Sequence, residues 1–221
     1  MKKSLFIHIP KNGGTSLRNT MSFAYPSMML NKQNVRSELE KFGLLPSFGH
    51  VRLIDYDQEQ VKKKFRPFCI IRNPWSREVS KYMFMLSARN NPDDHKTENR
   101  RKLLDEYGDS FHDYVTKILP LFDNCKFSYL HACETTATQV SYIRGKVIPD
   151  YLRFEHYNKE IEKYFKLKVT KHMNKMEKYD YKDYYTEELK QIVYDRYRED
   201  IDYWGYDFKT SATDNHWSKY Q

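Results

Sequence analysis

The sequence predicts a three-layer α/β/α protein with a central parallel sheet. Two continuous apolar runs, at residues 4–9 and 67–72, have the length and composition of strands buried on both faces. Each run is followed by a charged turn and then by a segment with helical periodicity, as expected for parallel strands joined by crossover helices. Ligand sites in such folds lie at the carboxyl ends of the strands. The two turns are therefore the first places to look for function.

The remaining elements follow from capping residues and apolar periodicity. Asn73 followed by Pro74 is typical of an N-cap and first helical residue, so a helix is expected from there to about residue 89. Thr186 and two glutamates predict the start of one long helix that ends before Gly205. Further helices are expected at 15–25, 35–43, 57–65, 110–119, 135–143 and 158–165, a strand at 47–53, mixed strand and loop at 151–157, and loops at 90–102 and 168–182.

Composition indicates a folded chain with a basic surface. The 221 residues include 19 Tyr and 13 Phe, which is more aromatic than disordered chains are. We assign residues 1–209 to one domain and the patternless residues 210–221 to a flexible tail. A net charge of +8 favours anionic partners, among them nucleotides, acidic glycans, nucleic acid and anionic membranes, without choosing among them.

Cysteine usage and hydropathy favour a cytoplasmic protein. The three cysteines are far apart and share no metal-ligand spacing with histidines, so neither a disulfide framework nor a metal site is expected. No signal-peptide pattern and no apolar stretch long enough to span a membrane are visible. The oligomeric state is not readable from this pattern.

The first turn, PKNGGTS at residues 10–16, has the features of an anion-binding loop. Its glycines permit positive φ and close approach, and a helix N-terminus follows at once. Lys11 precedes the glycines, whereas a P-loop kinase has its lysine after them. From there an ammonium can stabilise charge that develops on a leaving oxygen. The alternative is a glycine-rich turn with an incidental lysine.

The second turn belongs to IIRNPWSREVSKYMF, residues 70–84. Arg72 lies at the end of the predicted strand and can grip a phosphate bidentately. Ser80 follows eight residues later, about two helical turns on, and can face the same strand end. Together with the first motif, this arrangement predicts a second phosphate site.

HIPKNGGTSL followed by IRNPWSREVSKY resembles the 5′-phosphosulfate loop and the 3′-phosphate motif of sulfotransferases that use 3′-phosphoadenosine 5′-phosphosulfate (PAPS). The similarity is greatest to the set that includes glycan sulfotransferases and bacterial and phage-type relatives. RFEHYNKEIEKYF and DYYTEELKQIVYDRYREDIDYWGYDF are similar to two further family segments. The resemblance spans residues 4 to about 208 and implies a P-loop NTPase-like sulfotransferase fold.

The resemblance also implies the site residues. The residues it assigns to the 5′-phosphosulfate are Lys11, Asn12, Gly13, Gly14, Thr15 and Ser16. Arg72 and Ser80 would bind the 3′-phosphate. Lys171 or Lys175 could contact a phosphate from a loop that closes over the nucleotide, and a solvent-exposed basic loop is an equally good interpretation of that segment. The family usually has Thr in place of Asn12 and Asp in place of Asn73, but neither difference removes a cation.

The implied reaction is metal-free, in-line transfer of a sulfuryl group from PAPS to an acceptor hydroxyl. It leaves adenosine 3′,5′-bisphosphate. A saccharide is the expected acceptor, held by residues 90–102 and 120–150. His50 is the first candidate for the general base, since related glycan sulfotransferases carry a histidine after the second strand. The alternative base is Glu38 or Glu40, placed after the first helix.

Two other classes remain open as alternatives. A P-loop-type nucleotide kinase would need a lysine after the second glycine, which this chain lacks. A basic nucleic-acid-binding protein could stack bases on the tyrosines of residues 176–198 and neutralise phosphates with the lysines there. No nucleic-acid partner is expected, because that tyrosine spacing fits a helix packed on a sheet. A sulfotransferase-like chain that binds nucleotide without turnover is a further possibility.

Overall fold

A three-stranded parallel sheet forms the centre of the protein. The computed structural model describes residues 3–17, 50, 52–90, 94–122, 137–166 and 179–212. The strands are β1 (Lys3–Ile7), β2 (Phe65–Ile71) and β3 (Asp150–Arg153), with β2 in the middle. Phe6 pairs with Phe68 in the β1–β2 register. Because all three strands run in one direction, their carboxyl ends meet at one edge of the sheet.

Helices follow the strands as expected for a crossover topology. Residues 14–17 are helical directly after the loop that leaves β1. The other helices are α1 (Gln58–Lys64), α2 (Pro74–Leu86), α3 (Glu98–Tyr107), α4 (Phe111–Asp113, continued as a π-helix over Tyr114–Ile118 and a 3₁₀ turn over Leu119–Phe122), α5 (Gln139–Ile143), α6 (Tyr157–Phe165), α7 (Glu187–Arg196) and α8 (Arg198–Trp204).

The sheet is covered on both faces, and strand alternation divides the core accordingly. Cys69 and Ile71 of β2 join the larger cluster, which includes residues of α2, α3, α7 and α8. Phe68 and Ile70 point the other way and pack with Ile161 of α6. The predicted fold class, an α/β protein with a central parallel sheet, is confirmed.

Two predicted helix starts, at Asn73 and near residue 57, agree with the structure. The Asn73 side chain accepts from the backbone N–H groups of Trp75 and Ser76, at 3.1 and 3.3 Å, at the start of α2. Asp57 caps α1 in the same way. The predicted strands at 4–9 and 67–72 correspond to β1 and β2.

The prediction of one long carboxyl-terminal helix was wrong in one respect, because the segment forms two helices, α7 and α8. The break falls at Tyr197, whose φ of −112° and ψ of 25° lie outside the helical range. This tyrosine is buried and its hydroxyl accepts from Lys81 Nζ at 2.7 Å. Tertiary contacts at Tyr197 thus interrupt a helix that apolar spacing alone continues.

One loop prediction and one strand prediction were also wrong. Residues 95–102 of the expected 90–102 loop form a 3₁₀ turn (His95–Thr97) and the first turn of α3, anchored further on by buried Leu103 and Leu104. The strand expected over 47–53 is not formed at its described residues. His50 and Arg52 lie in irregular backbone, and Leu53 opens a 3₁₀ turn.

Residues 210–212, where a tail was expected to begin, pack against the domain. The carbonyl of Thr210 accepts from Asn73 Nδ2 at 2.9 Å, and the carbonyl of Ala212 accepts from Arg153 Nη1 at 3.3 Å. Ala212 is buried. The rest of the predicted tail, residues 213–221, lies outside the described residues.

Candidate functional site

The segments that follow the three strands meet at the carboxyl edge of the sheet. Nη1 of Arg72, after β2, donates to the carbonyl oxygen of Lys11, after β1, at 3.0 Å. The Arg72 guanidinium also lies over the ring of Phe154, after β3, with 4.1 Å between Cζ and the ring centroid. Glu155 accepts from the backbone N–H of Asn73 at 2.6 Å. The two motifs predicted from sequence are therefore adjacent, and a third strand end joins them.

Gly13 and Gly14 shape the first loop for two different reasons. Gly13 has φ of +82°, a conformation that residues with a Cβ rarely adopt. At Gly14 a Cβ would lie 2.1 Å from Nε2 of His8, so a side chain there would displace the imidazole. Thr15 is exposed and Ser16 is half-buried where the helix begins. The loop can thus turn sharply and present the first helical N–H groups at the sheet edge.

Lys11 is held in an unusual backbone conformation within this loop. Its φ is +67°, which is uncommon for a residue with a Cβ and is often found at functional sites. Its ammonium lies 4.3 Å from the centroid of the Phe84 ring. Burial, with repulsion from Arg72 and Arg100, lowers the pKa of Lys11 to about 8. Two neighbouring cations that repel each other in this way form a site that an anion stabilises.

Arg72 is more tightly held than Lys11. Its Nε and Nη2 donate to the Ser76 hydroxyl at 3.0 and 2.9 Å. Burial lowers the pKa of Arg72, while Tyr179 and Glu155 act in the opposite direction, and an arginine remains charged throughout. Ser80 is buried one turn after Ser76 on α2, so both hydroxyls lie on one face of the helix.

Gln139, at the start of α5, connects the two motifs and was not predicted from sequence. Its side-chain oxygen accepts from Asn12 Nδ2 at 2.6 Å and from the backbone N–H of Arg72 at 2.9 Å. Its side-chain nitrogen donates to the carbonyl of Arg72 at 2.8 Å. Asn12 also donates to the carbonyl of Ile70 at 2.7 Å. The Asn12 amide nitrogen is thus directed toward the protein interior.

Two buried charged side chains, Asp200 and Arg77, support this connection from behind. Asp200 of α8 accepts from the backbone N–H groups of Gln139 and Val140, both at 2.9 Å. Arg77 of α2 donates to the carbonyl of Pro10 at 3.1 Å, and its charge counteracts the rise that burial causes in the pKa of Asp200. The ends of β1 and β2 are therefore tied to α5 and α8 through side chains.

His50 lies beside the end of β1, although not on a strand. Its Nδ1 is 2.9 Å from the carbonyl oxygen of His8, and the two imidazole centroids are 4.4 Å apart. A carbonyl only accepts, so Nδ1 carries the proton of this hydrogen bond. In the neutral ring the lone pair is then on Nε2, which is the form that a general base needs.

Several predicted site residues lie outside the described residues. They are Glu38, Glu40, Lys171 and Lys175. Phe154 and Glu155 belong to the RFE segment, which resembles a segment of the family but was not predicted to contribute to the site. A strand followed by that segment could have indicated a third contribution to the site. Gln139 and Phe84 carry no sequence signal, because their roles depend on contacts between distant segments.

Comparisons with known proteins bear directly on this site. The model of the sulfotransferase family matches residues 2–207. Among curated proteins, none matches the chain. In the described part of the chain, no helix is long and apolar enough to cross a membrane, and no three His, Cys, Asp or Glu side chains are grouped to hold a metal.

Proposed function

The chain belongs to the sulfotransferase family, and on that premise we propose that it transfers the sulfuryl group of PAPS to an acceptor hydroxyl. The proposal rests on one observation above others. Lys11 and Arg72 come from neighbouring parallel strands and are joined by the 3.0 Å bond from Arg72 to the Lys11 carbonyl. PAPS carries anionic groups at its 5′ and 3′ positions, and two adjacent cations from two strand ends suit such a donor.

The residues present fit both anionic ends of this donor. The 5′-phosphosulfate would be held by Lys11 and by the N–H groups of the glycine loop. The Gly13 backbone conformation and the absence of a Cβ at Gly14 support that cradle. The 3′-phosphate would be held by Arg72 with Ser80. In this arrangement Asn12 stabilises the loop from inside, since its side-chain nitrogen bonds to Gln139 and Ile70.

In the proposed reaction, the acceptor oxygen bonds to sulfur as the bond from sulfur to the bridging phosphate oxygen breaks. The electron pair of the broken bond stays on the phosphate oxygen, where Lys11 stabilises the added negative charge. With a pKa of about 8, Lys11 is mostly protonated at neutral pH and can play this part. Positioning and electrostatics supply most of the catalysis in comparable group transfers.

His50 is the proposed general base. The hydrogen bond from its Nδ1 to the His8 carbonyl leaves the lone pair of the neutral ring on Nε2, where it would take the proton of the acceptor hydroxyl. Its position beside His8, which packs on Gly14, brings it near the glycine loop. Glu38 and Glu40 remain alternatives for this role.

A saccharide is the proposed acceptor. The net charge of +8 and the family resemblance support a polar, often acidic, acceptor. Arg100 of α3, within the segment expected to line the acceptor site, contacts Phe84 near Lys11. The proposed products are a sulfated saccharide and adenosine 3′,5′-bisphosphate.

Ligand-induced stabilisation tests the donor. Adenosine 3′,5′-bisphosphate at about 100 times its dissociation constant should stabilise the wild-type protein by roughly 2.7 kcal/mol, measured by thermal unfolding. Adenosine 5′-monophosphate, which lacks the 3′-phosphate, is the matched control and should stabilise less at the same concentration. Stronger stabilisation by ATP with magnesium would contradict the proposal and favour a kinase.

Transfer itself is tested with isotopically labelled PAPS and a panel of glycans and small alcohols. Mass spectrometry should detect a labelled sulfate ester on at least one glycan, with release of the bisphosphate. Bisphosphate binding without transfer to any acceptor would favour the non-catalytic nucleotide-binding alternative.

A further inference from the structure

Phe84 stands at an unusual place between two cations. It lies near the carboxyl end of α2 and is 50% exposed, although it is a large apolar side chain. The Lys11 ammonium is 4.3 Å from its ring centroid, and the Arg100 guanidinium carbon is 4.2 Å from the same centroid. One exposed ring therefore contacts a cation from the β1 loop and another from α3.

Arg100 is fixed on this ring by hydrogen bonds. Its Nη1 donates to the carbonyl oxygen of Phe84 and to the hydroxyl of Ser87, the latter at 3.3 Å. These bonds connect α3 to the end of α2. The ring of Phe84 is thereby held between α3 and the loop that carries Lys11.

An aromatic face holds an ammonium differently from a carboxylate. The attraction comes from the ring quadrupole, so it occupies no hydrogen-bond acceptor and adds no negative charge. The ammonium keeps its three N–H donors and its full positive charge. Within the described part of the chain, no carboxylate pairs with Lys11. A contact of this kind suits a cation that must bind an anion forming beside it.

We propose that Phe84 is a positioning residue for Lys11, and that its ring holds the ammonium at the sheet edge with its N–H donors available to the donor nucleotide. Arg100 holds the ring in place. This inference rests on the proposed function, since it assigns Phe84 a role in sulfuryl transfer through Lys11. Phe84 itself does not contact the reacting atoms in this arrangement.

Steady-state kinetics with PAPS test the proposal. Phe84→Leu keeps an apolar side chain but removes the π face, and Phe84→Trp keeps that face. We expect Leu to lower kcat by about 3- to 30-fold, the range that corresponds to a cation–π contact, with little change in KM for PAPS. Trp should restore most of the loss. Equal kcat values for the wild type and Phe84→Leu, or a loss that Trp does not restore, would overturn the inference.

A second measurement does not depend on activity. After reductive methylation with ¹³C-formaldehyde, the Lys11 resonance, identified by its absence in Lys11→Arg, should be shifted by the ring current of Phe84. The shift should disappear in Phe84→Leu and persist in Phe84→Trp, while bisphosphate binding stays unchanged in both. An unshifted wild-type resonance would show that the contact is absent in solution. A shifted resonance in a protein without transferase activity would instead contradict the proposed function alone.

Discussion

The ends of β1 and β2 hold their cations in opposite ways. Arg72, after β2, is buried and is fixed by two bonds to the Ser76 hydroxyl and one to the Lys11 carbonyl. The Lys11 ammonium rests on an aromatic ring, and the shape of its loop comes from backbone conformation and from the space at Gly14. One end is rigid through hydrogen bonds, and the other keeps its donors available.

This difference matches the two proposed roles. A 3′-phosphate keeps its charge throughout sulfuryl transfer, so a rigid arginine can bind it equally well before and after. The bridging oxygen gains charge as the bond to sulfur breaks, and only interactions that strengthen at that moment accelerate the reaction. Under the proposed function, binding and catalysis are divided between two neighbouring strand ends, and mutations can separate them.

The largest effect is expected for Lys11→Ala. Loss of a group that stabilises the leaving oxygen typically slows a reaction by about 10²–10³, or roughly 2.7–4 kcal/mol. Stabilisation by adenosine 3′,5′-bisphosphate should fall far less than the rate does, since Arg72 and the glycine loop are unchanged. Lys62→Ala, on the exposed face of α1, is the matched control. An unchanged rate in Lys11→Ala would place leaving-group stabilisation elsewhere.

Arg72→Gln should show the opposite pattern, with a loss of affinity. Hydrogen bonds to charged groups are worth about 1.5–3 kcal/mol, so bisphosphate binding measured by calorimetry should weaken by about 10- to 150-fold. Adenosine 5′-phosphosulfate, which lacks the 3′-phosphate, should lose much less affinity. Equal losses for the two ligands would mean that Arg72 does not bind the 3′-phosphate.

Gln139→Leu should weaken the connection between the two strand ends. It leaves the Arg72 backbone groups without the partner they have now, and a buried unsatisfied group costs about 1–3 kcal/mol. Chemical unfolding should show this loss in the ligand-free protein. Gln191→Leu, at an exposed position of α7, should unfold like the wild type and serves as the control. A Gln139→Leu protein as stable as the wild type would mean that other contacts join the two ends.

The smallest effect concerns pH and the charge of Arg100. The pKa of Lys11 is lowered to about 8 by burial, Arg72 and Arg100, and the proposed mechanism uses its protonated form. The value of kcat/KM for PAPS should therefore fall as pH rises through 8. Removing one repelling cation in Arg100→Gln raises that pKa and moves the fall to higher pH. Arg100→Lys, which keeps the charge, should follow the wild type, and identical profiles for all three proteins would contradict this coupling.

The strand ends themselves could be predicted from sequence with good accuracy. Apolar runs identified β1 and β2, and Asn73 with Pro74 marked the start of α2, because these signals depend on residues a few positions apart. Parallel pairing then required Lys11 and Arg72 to share one edge of the sheet. The family was also recognisable from motif order, as the match over residues 2–207 confirms.

Local patterns gave less information where distant contacts decide the conformation. The helix breaks at Tyr197, which is buried and hydrogen-bonded to Lys81. Helix α3 begins within a polar segment, and the buried residues that anchor it, Leu103 and Leu104, come after that segment. Neither contact has a local pattern, so periodicity extended one helix too far and missed the beginning of another.

The residues that complete the candidate site also depend on contacts between distant segments. Gln139 lies 67 positions from Arg72 along the chain, and Phe84 meets Lys11 through the packing of α2 against the first loop. Periodicity and motifs report which side chains a short segment presents and in which order. Which of those side chains meet is decided by burial and hydrogen bonding between segments far apart in the chain, and these interactions exist once the core has formed.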